Sequence, residues 1–96
     1  MGQPEPEVVW NPSKARTNIA KHGVTSEEAA TVLADPLAIV MDDPDHSAEE
    51  QRFLTVGLSH RQRALVVSYV DRGEQVRIIS AREATRGERL TYEEGE

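Results

Sequence analysis

The chain has 96 residues, 38% of them apolar, no cysteine and a net charge of −6. That length fits one domain with a single modest core, and the missing cysteines exclude a disulfide framework and thiol chemistry and fit a reducing interior. The acidic balance argues against a generally basic nucleic-acid binder.

Neither a secretory signal nor a membrane span is expected: MGQPEPEVVW has no apolar stretch, and no run approaches the ~18 apolar residues of a spanning helix. A cytoplasmic protein is therefore expected. VVW at 8–10 reads as a short strand. Asn11 then offers an N-cap and Pro12 a first helical residue whose missing N–H costs nothing. The helix through SKARTNIAKH places Ala15, Asn18, Ile19 and His22 on one face. Gly23 suits its left-handed close, with Lys21 and His22 where cations favour the helix dipole. In TSEE, Thr25 and Glu28 have the spacing of a capping box, opening a second helix that buries Ala29, Val32 and Leu33 and stops before Pro36.

LAIVM (37–41) reads as a short buried strand, and DDPDHSAEE as a polar connection. Three further strands are predicted at 52–58, 63–70 and 75–81. Hairpin-length links, SHRQ and DRGE, join them into an antiparallel meander. SARE (80–83) matches a second capping box, with Ser80 as N-cap of a last helix through about Tyr92 in which Ala84, Gly87 and Leu90 face inward. The predicted order is β-α-α-β-β-β-β-α, a single α+β domain with a small antiparallel sheet and helices packed on one face. Residues 1–7 and 93–96 are expected to lie outside the ordered domain.

Charge is unevenly spread. Residues 1–51 carry 3 basic and 10 acidic side chains, whereas residues 52–89 carry 8 arginines against 4 acids. An anion site on an acidic protein is therefore conceivable, built from the side chain that grips phosphate bidentately; ordinary surface pairing of these arginines with glutamates is the simpler reading. Arg82, expected in the first turn of a helix, opposes the dipole there, so either an anion or an acidic neighbour should accompany it. His22 trades protons near neutral pH, although a cation closing a helix explains it equally well. Trp10 suits a core anchor or a base-stacking platform. No metal site is expected: His22, His46 and His60 lack ligand spacing, and residues 42–46 lack the glycine and distal glutamate of a calcium loop. Nucleotide-binding loops and a hydrolase elbow are absent.

Several segments together resemble one family. WNP with Lys14, Asn18 and KHGV at 10–24, the acidic helix running to Asp35-Pro36, HSxEExR at 46–52 and RIISARxATxxER…Y at 77–92 are similar to the BrnT toxins of bacterial type II toxin–antitoxin pairs. The resemblance implies a RelE-like fold and a metal-independent ribonuclease without cofactor that stops translation. It implies a BrnA-type antitoxin partner carrying a ribbon-helix-helix DNA-binding domain, in a hetero-oligomer that represses its own operon and touches operator DNA only through the antitoxin.

By the same resemblance His22, Lys21, Arg63 and Arg82 are the expected catalytic residues, with Trp10, Arg52 and Arg77 expected to hold RNA. Metal-free RNA cleavage needs a proton acceptor for the 2′-OH, a proton donor for the leaving 5′-oxygen and cations for the phosphorane, and these residue types supply all three. Three positions depart from the family pattern: Asn11 for a usual Asp, Ser26 for a common Phe, and Gln62 for a tight-turn glycine before Arg63. The alternative expectation is a non-catalytic module that keeps the fold and acts only through its antitoxin.

Overall fold

Local chemistry starts and stops the first two helices. Helix α1 (Pro12–His22) is capped by Asn11, whose Oδ1 accepts hydrogen bonds from the N–H of Ser13 at 2.9 Å and of Lys14 at 3.2 Å. It is closed by Gly23 at φ 68°, whose N–H donates to Ile19 O at 2.8 Å. This left-handed turn, open to glycine without steric cost, ends the helix immediately after His22. Thr25 caps α2 (Ser26–Leu33) by accepting from the N–H of Glu28 at 3.1 Å. The expected reciprocal half of that box is not made, because the Glu28 carboxylate turns inward to Ser59 and Arg63.

The computed structural model describes residues 7–43 and 50–95; the connection and histidine at 44–49 lie outside them. Strands β1 (Glu7–Val9), β2 (Ile39–Asp42), β3 (Arg52–Leu58), β4 (Ala64–Asp71) and β5 (Gln75–Glu83), followed by α3 (Arg86–Glu94), complete the order read from the sequence. One sheet holds them as β1-β5-β4-β3-β2. β2 through β5 form the antiparallel meander, but β1 lies parallel to β5, with Glu7 opposite Gln75 and Val9 opposite Arg77. The sheet is thus mostly, not wholly, antiparallel; the partner of β1 lies too far along the chain for a local pattern to reveal.

Three more expectations are corrected. Ser80–Glu83 do not open a helix: they extend β5 along β4 as far as the Leu65–Glu83 pair. The capping box belongs to Thr85 and Glu88, where Thr85 Oγ1 accepts from Glu88 N–H at 3.2 Å and the carboxylate accepts from Thr85 N–H at 2.8 Å. SARE and TRGE fit the motif equally, and ladder pairing decides between them. With the helix shifted, Gly87 and Leu90 are exposed and Tyr92 turns in, donating from its OH to Asp35 Oδ2 at 2.7 Å. Segment 37–41 is not buried, because β2 is an edge strand with Leu37 72% and Val40 55% exposed. Finally, Glu7 belongs to β1 and Glu93 and Glu94 to α3.

Core residues Leu65, Val67, Ile78 and Ala81 meet Val24, Ala29 and Val32 beneath α1 and α2, with Trp10 and Leu33 packed alongside. Ser68 pairs with Ser80 while Tyr69 pairs with Ile78, leaving Ile79 as an extra residue in β5. This bulge keeps both Ile78 and Ala81 on the core face. The other face presents Arg52, Leu54 and Val56 of β3, Val66, Ser68 and Val70 of β4, and Arg77, Ser80 and Arg82 of β5, as strand alternation requires. Helix α3 crosses one end of that face, with Arg89 and Tyr92 beside Leu58 and Ala64.

The β3–β4 turn is closed by Ser59 N–H donating to Arg63 O and Gln62 N–H donating to Ser59 O, both at 2.9 Å. Gln62 stands there at φ 63°, a conformation that is costly for a residue with a Cβ. Replacing Gln62 with Gly should raise stability by roughly 0.5–1 kcal/mol, the relief of strain outweighing the added chain entropy. Denaturant melts of the two proteins measure it.

Candidate active site

Asn18 fixes the first helix against the sheet. Its Nδ2 donates to Ala81 O at 2.9 Å and Val24 O at 3.1 Å, and its Oδ1 accepts from Ala81 N–H at 3.1 Å. The amide thus behaves as one more rung on the edge of β5 that β1 leaves open, and it is buried to 5% exposure. Of the face expected to turn inward, only Ala15 and Asn18 are buried; Ile19 is 45% exposed and His22 is exposed.

Beyond the clamp lies a groove of about 240 Å³, walled by Ser13, Lys14, Thr17, Asn18, Lys21 and His22 of α1 and by Ile79 and Ser80 of β5. Two lysines, a histidine and three hydroxyls line one opening. Such a set suits an anion and places a proton-transferring imidazole beside it. Lys21 and His22 are therefore brought together at the groove. Ser80, expected to cap a helix, instead lines this opening, and Lys14 joins it.

The arginines are distributed differently. Arg63 sits beneath the corner that ends α1, donating from Nη2 to Gly23 O at 3.0 Å. Its Nε donates to Glu28 Oε2 at 2.9 Å, its Nη2 to Oε1, and Ser59 Oγ donates to Oε2 at 2.6 Å. Glu28 is only 1% exposed. Arg63 holds its carboxyl down at about 2, with help from Ser59 and against the opposing effect of burial. Arg82 is on β5, where it grips Glu88 bidentately at 2.8 and 2.9 Å and fastens α3 to the sheet. That grip is the main reason the Glu88 carboxyl falls to about 2. The acidic partner, not an anion at a helix start, is what accompanies Arg82. Arg52 and Arg77 lie on the sheet face turned away from α1 and α2, on either side of the buried Val70, and Trp10 is half-buried against the core. None of these five lines the groove of Lys21 and His22. Among the described residues no three His, Asp or Glu side chains are grouped as metal ligands, and no helix is long and apolar enough to cross a membrane.

The family model of the ribonuclease toxin BrnT, of type II toxin–antitoxin systems, matches residues 10–88. This chain belongs to the BrnT family. The Brucella abortus ribonuclease toxin BrnT, solved at 1.1 Å, is 26% identical, with a TM-score of 0.67 over 85% of this chain and 100% of that one. No curated protein matches. The matched span takes in every residue lining the groove, the antiparallel meander and the start of α3.

Two expected outcomes test how this site is held. Asn18→Ala strands two carbonyls and one N–H in the interior, at about 1–3 kcal/mol for each buried group left unsatisfied, and should lower stability by at least about 2 kcal/mol in a denaturant melt. The Glu28 carboxyl lies below its unfolded value of 4.5, at about 2. Its stabilisation is complete above pH ~4.5 and fades as pH falls toward 2. Glu28→Gln should therefore cost about 3 kcal/mol at pH 7 and much less near pH 2; melts across that range would show the two curves converging.

Proposed function

We propose that this BrnT-family protein is a metal-independent endoribonuclease whose reaction takes place at the groove between α1 and β5. The observation that supports the reading best is the convergence of Lys21, His22 and Ser80 on one opening, at the margin of a sheet face that carries Arg52, Arg77 and Arg82. RNA lies across that face with a phosphate in the groove. His22 accepts the proton of the 2′-OH, the 2′-oxygen attacks phosphorus, and Lys21 donates a proton to the departing 5′-oxygen. The products are a 2′,3′-cyclic phosphate and a 5′-hydroxyl. Adjacent helical residues diverge by about 100°, which lets these two serve different oxygens of one phosphate at the helix end that Gly23 creates. Cations beside the groove stabilise the phosphorane. Arg63 holds the corner on which His22 stands, while Arg82 positions β5 relative to α3. Trp10, Arg52 and Arg77 contribute to RNA binding.

The type II family places a protein antitoxin beside the toxin. We assign that role to a BrnA-type partner with a ribbon-helix-helix domain. It neutralises the toxin in a cytoplasmic hetero-oligomer and brings it to operator DNA; free toxin cuts RNA and halts translation. The acidic first half of the chain supports a basic contact segment on that partner.

Cleavage of end-labelled, unstructured RNA in EDTA tests the reaction. The natural protein should cut, and His22→Ala should be slower by on the order of 10²–10⁴-fold. A loss below tenfold would return His22 to the status of a helix cap, and no cleavage by the folded natural protein would defeat the proposal.

A further inference from the structure

The strand register carries more than the groove uses. On the sheet face turned away from α1 and α2, Arg52 is opposite Val70, which is buried, and Val70 is opposite Arg77. Glu50 lies two residues before Arg52 and Arg72 two residues after Val70, just beyond the ends of β3 and β4. Glu50 accepts from Arg72 Nε at 3.0 Å and Nη2 at 3.1 Å, in the bidentate geometry that a phosphate also satisfies.

We infer that Arg52, Arg72 and Arg77 form a second phosphate-binding subsite for RNA, in which the Glu50 carboxylate occupies the phosphate's place until RNA displaces it. The inference rests on the ribonuclease reading for its ligand, and it adds a residue that restrains binding. All three arginines act on Glu50: its carboxyl is held below the usual range mainly by the Arg72 hydrogen bonds, against the opposing effect of desolvation, with weaker help from the fields of Arg77 and Arg52. The Arg72–Glu50 pair is close to half exposed on both sides, 45% and 47%, so water and salt screen it and exchange for another anion is easy. Arg77 and Ser80 are three residues apart on one strand. At ~3.3 Å per residue the subsite is roughly 10 Å from the groove, within reach of a single RNA strand that places one phosphate at each. Ser80, at the groove, is opposite Ser68 on the same face. Glu50 thus lets the arginines stay paired in the absence of RNA and makes RNA binding weaker than the cations alone would give.

The test is binding of a fluorescent, unstructured 2′-O-methyl RNA, read by anisotropy over a range of salt; without a 2′-OH this probe cannot be cut by the proposed route. Glu50→Gln should tighten binding about 3–10-fold and steepen the slope of log K against log salt by about 0.7, the value for one added single-strand phosphate contact. Glu93→Gln, the same charge change on exposed α3, should leave the slope unchanged, and Arg77→Gln in the Glu50→Gln background should remove the gain. An equal gain from Glu93→Gln would reduce the effect to bulk charge and overturn the inference. So would an unchanged slope in Glu50→Gln, or no binding by either protein. A protein that shows the Glu50 effect yet never cuts natural RNA loses only the catalytic reading. One that cuts RNA but ignores Glu50→Gln loses only the subsite.

Discussion

The buried Glu28 carboxylate ties together three pieces of chain that also meet in the core. It stands in the first turn of α2, receives Ser59 and Arg63 from the β3–β4 hairpin, and through Arg63 holds the carbonyl of Gly23 at the end of α1. A charge removed from water to this degree is stable only when its lone pairs are matched. Two guanidinium donors and a hydroxyl match them here. The position of His22 is therefore set twice, by the Asn18 amide on β5 and by the Arg63 corner beneath Gly23. Neither constraint uses the histidine itself, so the side chain remains exposed at the groove.

Sheet geometry separates two tasks. One face meets α1 and α2 in the main core; the opposite face, crossed at one end by α3, buries Val56, Val66, Ser68 and Val70 and carries Arg52, Arg77 and Arg82 around them. The net charge of −6 conceals this arrangement. Acidic side chains dominate the first half of the chain, whereas the arginines come from the strands and last helix of the second. Local field, rather than the total, determines where an anion settles.

Elements governed by neighbours in sequence were legible. Asn11-Pro12, Gly23 and Thr25 mark helix boundaries through side-chain and backbone chemistry that needs no tertiary partner, and the two short links mark hairpins. The failures have one cause. Ser80 and Thr85 satisfy the same capping pattern, and only pairing with β4 reveals that the first is in a strand. Glu28 fits a cap until Arg63 is seen to claim its carboxylate. Arg82 reads as a misplaced helix cation until β5 is known to extend through it and Glu88 to meet it. Edge exposure of β2 is likewise a property of sheet order. For the groove, KHGV singled out Lys21 and His22 as candidates, while Asn18, Ser80 and Lys14 emerged from packing. The bulge at Ile79 hid the register that brings Ser80 to the groove.

The parallel pairing of β1 with β5 has a kinetic consequence. β1 is three residues long, and Glu7 meets Gln75 across a sequence separation of 68. Forming this contact closes most of the chain into a loop for a small number of rungs, whereas the meander assembles from adjacent hairpins. β1 is thus the last strand to dock during folding and among the first to detach in native-state fluctuations, with its amides exchanging ahead of those in β4. Trp10 follows β1 directly, so its indole fluorescence reports the final step of assembly rather than the formation of the sheet.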